Sequence, residues 1–203
     1  GVLYSHRSQL LHSFGTCLAD AMGLQASDRV LPVVPMFHVN AWGLPYAAMQ
    51  CGSDLLLPGP TSTPEELVFL LSRHRATFTA AVATVWRDLV PVLKTHDLGS
   101  LRHIACGGGA VDDALSSTYE KALGIPLVNA WGMTETSPVV TTSRLGTHHA
   151  GLDGDARRLL LGTPGPAVPL TEIRVVSDDG VEQPRDGSSP GELQVAGATI
   201  ASA

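Results

Sequence analysis

The 203 residues are 44% hydrophobic and 16% charged, with a formal net charge of −6; a chain of this kind folds and buries a core, and is not disordered. Acidic and basic residues are mixed without a Lys/Arg block, no apolar run has membrane-crossing length, and the opening "GVLYSHRSQLLHSFG" lacks the layout of a secretion signal. A nucleic-acid groove, a transmembrane segment and a secreted precursor are therefore set aside.

In chain order, "RSQLLHSFGTCLADAM" (residues 7–22) spaces Leu10 or Leu11, Phe14, Leu18 and Met22 as a helix would. "RVLPVVPMF" reads as a buried strand and its exit loop, "AWGLPYAAMQCG" as a helix ended by Gly52, and "SDLLLPG" as a second strand. "TSTPEELVFLLSRH" has a strong helix start, with Thr63 as cap, Pro64 in the first turn and Glu66 three residues on. "ATFTAAV" is a strand and "TVWRDLVPVLKTH" a helix bent at Pro91, with Trp86 in the core; "LRHIAC" is the next strand and "GGG" its exit. "AVDDALSSTYEKALG" aligns Leu115, Tyr119 and Leu123 on a helix, and "IPLVNAW" closes the series as a strand.

This alternation predicts an α/β fold over residues 1–155, a mostly parallel sheet with helices on both faces. Residues 156–203 change texture: "LTEIRVVSDDG" and "GELQVAG" alternate as β segments with no helix pattern between them, and read as the beginning of an antiparallel sheet or β-barrel subdomain. The sequence opens without a methionine and ends on "GATIASA" without a closing element, so a fragment of a longer protein is expected. Cys17, Cys51 and Cys106 are odd in number and include no CxxC pair, which predicts reduced structural thiols in a cytoplasmic protein and argues against a zinc site.

Ligands collect at the carboxyl ends of parallel strands, and two suggestive segments fall there. "ACGGGAVDD" puts glycines between strand and helix, where backbone approaches a ligand closely and helix N–H groups favour an anion. A tight turn explains it equally well. "WGMTE" offers an aromatic face, the Thr134 hydroxyl for a phosphate oxygen and the Glu135 carboxylate as a hard ligand for Mg²⁺; taken singly, Thr-Glu at the start of an exposed loop is the simpler reading. The histidines form no HxxxH pair, and no GxSxG elbow supports a serine hydrolase.

Taken together and in order, "GVLYSHRS", "PMFHVNAWGLPY", "GGGA" and "NAWGMTETSP" resemble the adenylate-forming enzymes, specifically the fatty-acyl-CoA ligases; "TVW", "LGTPGPAVPLTEIRVV" and "GELQVAG" agree with the same family's later motifs. The resemblance implies an ATP-dependent ligase that converts a fatty acid to an acyl-adenylate and transfers it to coenzyme A. It implies ATP, Mg²⁺ and coenzyme A as cofactors or co-substrates, and a homodimer as an assembly to test for. By motif, Asn129 and Ala130 would meet the adenine edge and Trp131 its face, with Gly132 and Met133 completing the nucleotide contact. Thr134 would bind phosphate, Glu135 would hold Mg²⁺, and Gly108, Gly109 and Ala110 would line the nucleotide and the acyl carboxylate. His38 would stand beside that carboxylate, and "HVNAWGLPY" and "AAVATVW" would supply apolar contacts to the acyl chain.

The family usually has tyrosine where Trp131 stands and arginine where Ala196 stands, so a phenolic hydrogen bond and a salt bridge are missing. The family's phosphate loop, ribose aspartate and catalytic lysine do not occur in these residues, and the isolated chain is expected to be inactive. A fatty-acyl-AMP ligase feeding a carrier protein, and a non-catalytic nucleotide- or acyl-binding module, are the alternatives.

Overall fold

The computed structural model describes residues 1–59 and 63–201. The β-prone runs form strands β1 (Arg29–Pro32), β2 (Asp54–Leu55), β3 (Phe78–Val82), β4 (His103–Gly107), β5 (Leu127–Gly132) and β6 (Val139–Thr142). They align in the order β2-β1-β3-β4-β5-β6, the first five parallel and β6 antiparallel to β5. Helices α1 (His6–Cys17), α2 (Leu44–Cys51), α3 (Pro64–Arg73), α4 (Ala83–Leu89), α5 (Asp113–Leu123) and α6 (Gly154–Gly162) flank the sheet. No helix among the described residues is long and apolar enough to cross a membrane.

The inner strands are buried on both faces, so alternate side chains enter two different cores. Phe78, Ala80 and Ala105 join Met22, Trp42 and Leu44 on the α1–α2 side. Ala81, Ile104 and Cys106 join Leu71, Trp86 and Tyr119 on the α3–α5 side. Trp86 belongs to that second core as predicted, and its polar atom is satisfied: the indole N–H donates to the Ala105 carbonyl at 3.1 Å. The start of α3 is also as read, with Thr63 and Glu66 forming a reciprocal capping box; Thr61 and Ser62 of the quoted start lie outside the described residues. The helix expected over residues 84–96 with a bend at Pro91 instead ends at Leu89, ahead of the proline, and the chain tightens into a 3₁₀ turn over Val90–Val92.

Two expectations are corrected. The first helix stops at Cys17, short of residue 22, and turns its polar side inward: Ser8, His12, Ser13 and Thr16 are buried, while Leu10 and Phe14 are about half exposed. The hydroxyls tolerate burial because each donates to a carbonyl one turn back, Ser13 to Gln9 and Thr16 to His12. The second correction concerns residues after Ala156, where only β structure was expected. Helix α6 crosses the 155/156 boundary, capped by Asp153, with Leu161 buried and Arg157 and Arg158 paired to Glu120 and Asp113 of α5. The run "RRLLL" places its leucines side by side, so it carried no helical period. The antiparallel pair does follow, as β7 (Thr171–Val176) with β8 (Glu192–Gly197).

Candidate functional site

Two cavities open at the carboxyl ends of β4 and β5. One, of ≈ 270 Å³, is walled by His38, Val39 and Trp42 from the loop after β1, by Gly107 and Gly108, by Ala130 to Glu135, and by Pro138 and Val139. The other, of ≈ 460 Å³, is walled by Gly108, Gly109, Ala110, Asn129 to Gly132, Gly162 and Pro164. Gly108 and Ala130–Gly132 face both, so the end of β5 is a partition between an apolar chamber and a glycine-lined one. The sheet order reverses between β1 and β3, yet the site lies farther along, over β4 and β5, because the loop after β1 reaches across.

The glycines are there for space. A Cβ on Gly107 would stand 2.8 Å from the Ala130 carbonyl oxygen and 3.0 Å from the Trp42 ring, and Gly108 has φ +72°. A Cβ on Gly132 would stand 1.9 Å from the Pro138 carbonyl oxygen, at a point where the β5–β6 register shifts between Trp131 and Gly132. Such a bulge re-aims side chains at the end of a strand. The anion-binding role first given to the following helix is weakened: Asp112 caps α5 with its own carboxylate, accepting the Leu115 N–H, and pairs with Arg87.

The wall formed by the β1 exit loop is unusual. Val39, Asn40, Ala41 and Trp42 all have φ between +50° and +57°, and Gly43 follows at +72°. Left-handed backbone costs about 1–2 kcal/mol per non-glycine residue, and a β-branched valine is the least tolerant of it. Burial of Ala41 and Trp42 against the small side of the sheet offsets this cost. His12 lies directly behind, where a Cβ on Gly43 would be 2.8 Å from its Nδ1. The His12 Nε2 accepts the Val139 N–H at 3.3 Å, and burial lowers this imidazole to a pKa of about 4, so it is neutral. Helix α2 thus starts only after the left-handed turn, at Leu44.

Thr134 and Glu135 occupy a 3₁₀ turn, Thr134–Thr136, at the mouth of the apolar chamber. The turn is held from within by the Thr136 hydroxyl, which accepts the Met133 N–H at 3.0 Å. From outside, the Tyr4 hydroxyl donates to the Thr134 carbonyl at 2.6 Å and the Ala201 N–H to the Glu135 carbonyl at 2.8 Å. Burial, and then the Glu135 carboxylate, raise the Tyr4 phenol above its ordinary pKa.

The structure therefore distributes the sequence-read residues over both chambers. His38, Met133, Thr134 and Glu135 face the first, Gly109, Ala110 and Asn129 the second, and Gly108, Ala130, Trp131 and Gly132 both. Asn129 also has an internal task, since its amide donates to the Gly162 and Thr163 carbonyls at the end of α6. Of the apolar segments, 38–42 contributes to the wall, but no residue of "AAVATVW" does; Val82 touches the site only through Gly108. Asn40 and Thr84, from the same two segments, line neither chamber. Val39 and Trp42 belong to the segment read as an acyl contact; residues not read as site components are Gly107, Pro138 and Val139 on the wall of the first chamber, Gly162 and Pro164 on that of the second, and Tyr4 behind the turn. The first of the three glycines was a visible signal; nothing local marked the others.

Glu135 is exposed at the chamber wall beside the Thr134 hydroxyl, and no group of three or more His, Cys, Asp or Glu side chains suited to a metal occurs among the described residues. One carboxylate with open space for phosphate oxygens and water is a donor set that fits Mg²⁺ and not a closed protein cage.

The family description "AMP-binding enzyme" matches residues 1–203. The chain is 43% identical over 199 residues to a 3-methylmercaptopropionyl-CoA ligase of Ruegeria pomeroyi, covering 97% of this chain and 37% of that protein. It is 42% identical over 202 residues to a long-chain-fatty-acid–CoA ligase of Thermus thermophilus, covering 98% and 37%. Among solved structures, a long-chain-fatty-acid-CoA ligase from Archaeoglobus fulgidus superposes with a TM-score of 0.81 at 25% identity, over 99% of this chain and 40% of that one. The chain spans little more than a third of the length of these relatives. A match over every residue, on a sheet whose strand ends build the paired chambers, assigns this chain to the AMP-binding enzyme family.

Proposed function

We propose that the protein is an ATP-dependent fatty-acyl-CoA ligase. The observation that carries this reading is the pair of chambers meeting at the end of β5, one walled by Val39, Trp42 and Val139 and one by glycines and the Trp131 ring. The names of the relatives support it, each of the three being a CoA ligase.

In this reading the aliphatic chain enters the first chamber with its carboxylate toward Gly108 and His38. The adenine occupies the second, stacked on Trp131, with Gly109, Ala110, Asn129 and Ala130 around it. A carboxylate oxygen attacks the α-phosphorus of ATP and pyrophosphate leaves; the thiol of coenzyme A then attacks the acyl carbon and AMP leaves. Both reactants of the first step are anions, so the residues must align them and offset charge. The Thr134 hydroxyl donates to a phosphate oxygen, and Glu135 holds Mg²⁺, whose contribution when bound is to neutralise phosphate charge. His38, exposed at the rim, orients the acid and leaves an entrance for the thiol. A cytoplasmic location belongs to the same proposal, since the free thiols Cys17, Cys51 and Cys106 suit a reducing compartment.

The test is a substrate panel on the full-length protein, measuring kcat/KM for acyl-CoA formation with straight-chain, aryl and amino acids. Each buried methylene contributes ~0.8 kcal/mol, so four more methylenes give about 3 kcal/mol, or roughly a hundredfold preference for medium over short chains. A preference for aryl or amino acids contradicts the fatty-acid reading, because the chamber would have to match their polar groups.

A further inference from the structure

Tyr4 lines neither chamber, yet it reaches the turn that carries Thr134 and Glu135 across 130 residues of sequence. Its hydroxyl donates to the Thr134 carbonyl at 2.6 Å, and the next carbonyl, that of Glu135, accepts the Ala201 N–H at 2.8 Å. Two successive carbonyls are thereby pinned by chain segments from opposite ends of the sequence. The direction of a carbonyl fixes its peptide plane, and these planes set where the Thr134 hydroxyl and the Glu135 carboxylate point. Inside the turn, the Met133–Thr136 and Met133–Pro138 bonds close the loop, and the Thr134 carbonyl also accepts the Ser137 N–H, at the longer distance of 3.4 Å.

We propose that Tyr4 is a positioning residue for the phosphate- and metal-handling turn, a role that rests on the adenylation reading above. The phenol is partly buried, and burial first, then the Glu135 carboxylate, raise its pKa, so it stays a protonated donor at neutral pH. Without this 2.6 Å hydrogen bond the Thr134 carbonyl keeps only the longer, 3.4 Å bond from the Ser137 N–H, and its peptide is held less tightly. Small misplacements of aligned groups are costly in rate, with ~1 Å reaching about a hundredfold. Tyr4→Phe isolates the effect, because it keeps the ring and removes the donor.

The experiment uses the full-length protein and compares wild type with Tyr4→Phe in three measurements. They are acid-dependent ATP–pyrophosphate exchange as a function of Mg²⁺ concentration, amide hydrogen exchange across residues 133–138, and the melting temperature. Expected are an exchange rate about tenfold lower at limiting Mg²⁺, a higher half-saturating Mg²⁺, faster amide exchange at Met133 and Thr136, and an unchanged melting temperature. Wild-type Mg²⁺ dependence with wild-type amide exchange overturns the proposal. So does a lowered melting temperature with a loss independent of Mg²⁺, which describes a structural brace. A wild type without acid-dependent exchange sinks the adenylation reading instead; amide exchange then still decides whether Tyr4 holds the turn.

Discussion

Replacing Glu135 with glutamine in the full-length protein is expected to slow acyl-adenylate formation by on the order of a hundred- to a thousandfold, with the fold intact. The loss of one charge-stabilising contact in a transition state is worth about 2.7–4 kcal/mol. Glutamine keeps the length of the side chain and the Glu135 carbonyl that accepts the Ala201 N–H, so the turn itself is preserved. What disappears is the exposed carboxylate at the mouth of the apolar chamber. The measurement is the adenylation rate at limiting and saturating Mg²⁺, alongside circular dichroism to verify folding. An unchanged rate at limiting Mg²⁺ removes Glu135 from metal binding.

Acid should destabilise the protein well before its carboxylates titrate. Burial lowers His12 to a pKa of about 4; burial, followed by the charges of Arg144 and Arg102, lowers His103 to about 3. A base whose folded pKa lies below its unfolded value of about 6.5 is neutral in the native state and binds a proton on unfolding. Its stabilising effect is fully present above that unfolded value and is lost as pH falls through the window toward the folded one. At pH 5 the loss is about 2 kcal/mol for each histidine, and about 4 kcal/mol for the two together. Hydrogen bonds and arginine partners shift Asp28, against burial, and Asp112 downward; their losses begin only as pH falls toward the unfolded carboxylate value of about 3.9, below pH 5. Denaturant unfolding at pH 7.5 and pH 5 measures the difference. His103 stacks on Phe78 at 4.6 Å, and its Nε2 has no partner among the described residues, so His103→Phe should remove about half of the acid loss. Equal stability at the two pH values, or an unaltered slope in the variant, contradicts this account.

Local chemistry made much of the fold readable. Thr63 and Glu66 announce α3, Gly52 ends α2 with φ +78°, and the alternating apolar runs become the parallel strands. The strand-end motif was readable for a similar reason: "GGG" and "WGMTE" sit where the chain leaves the sheet, and Gly132 is demanded by its own bulge. What escaped depends on contacts distant in sequence. The left-handed run begins at Val39, with no glycine until Gly43, and is held by packing of Ala41 and Trp42 that no local propensity encodes. Helix α1 hides serine and threonine and displays Leu10 and Phe14, because its hydroxyls are satisfied within the helix. The partition of the site into two chambers and the Tyr4–Thr134 bond are likewise matters of tertiary arrangement.

ATP–pyrophosphate exchange by the full-length protein without coenzyme A measures acyl-adenylate formation directly. Exchange should require Mg²⁺ and a straight-chain fatty acid and fall to background when the acid is omitted. Acid-independent exchange, or none with any straight-chain acid by a folded protein, would contradict the adenylation reading.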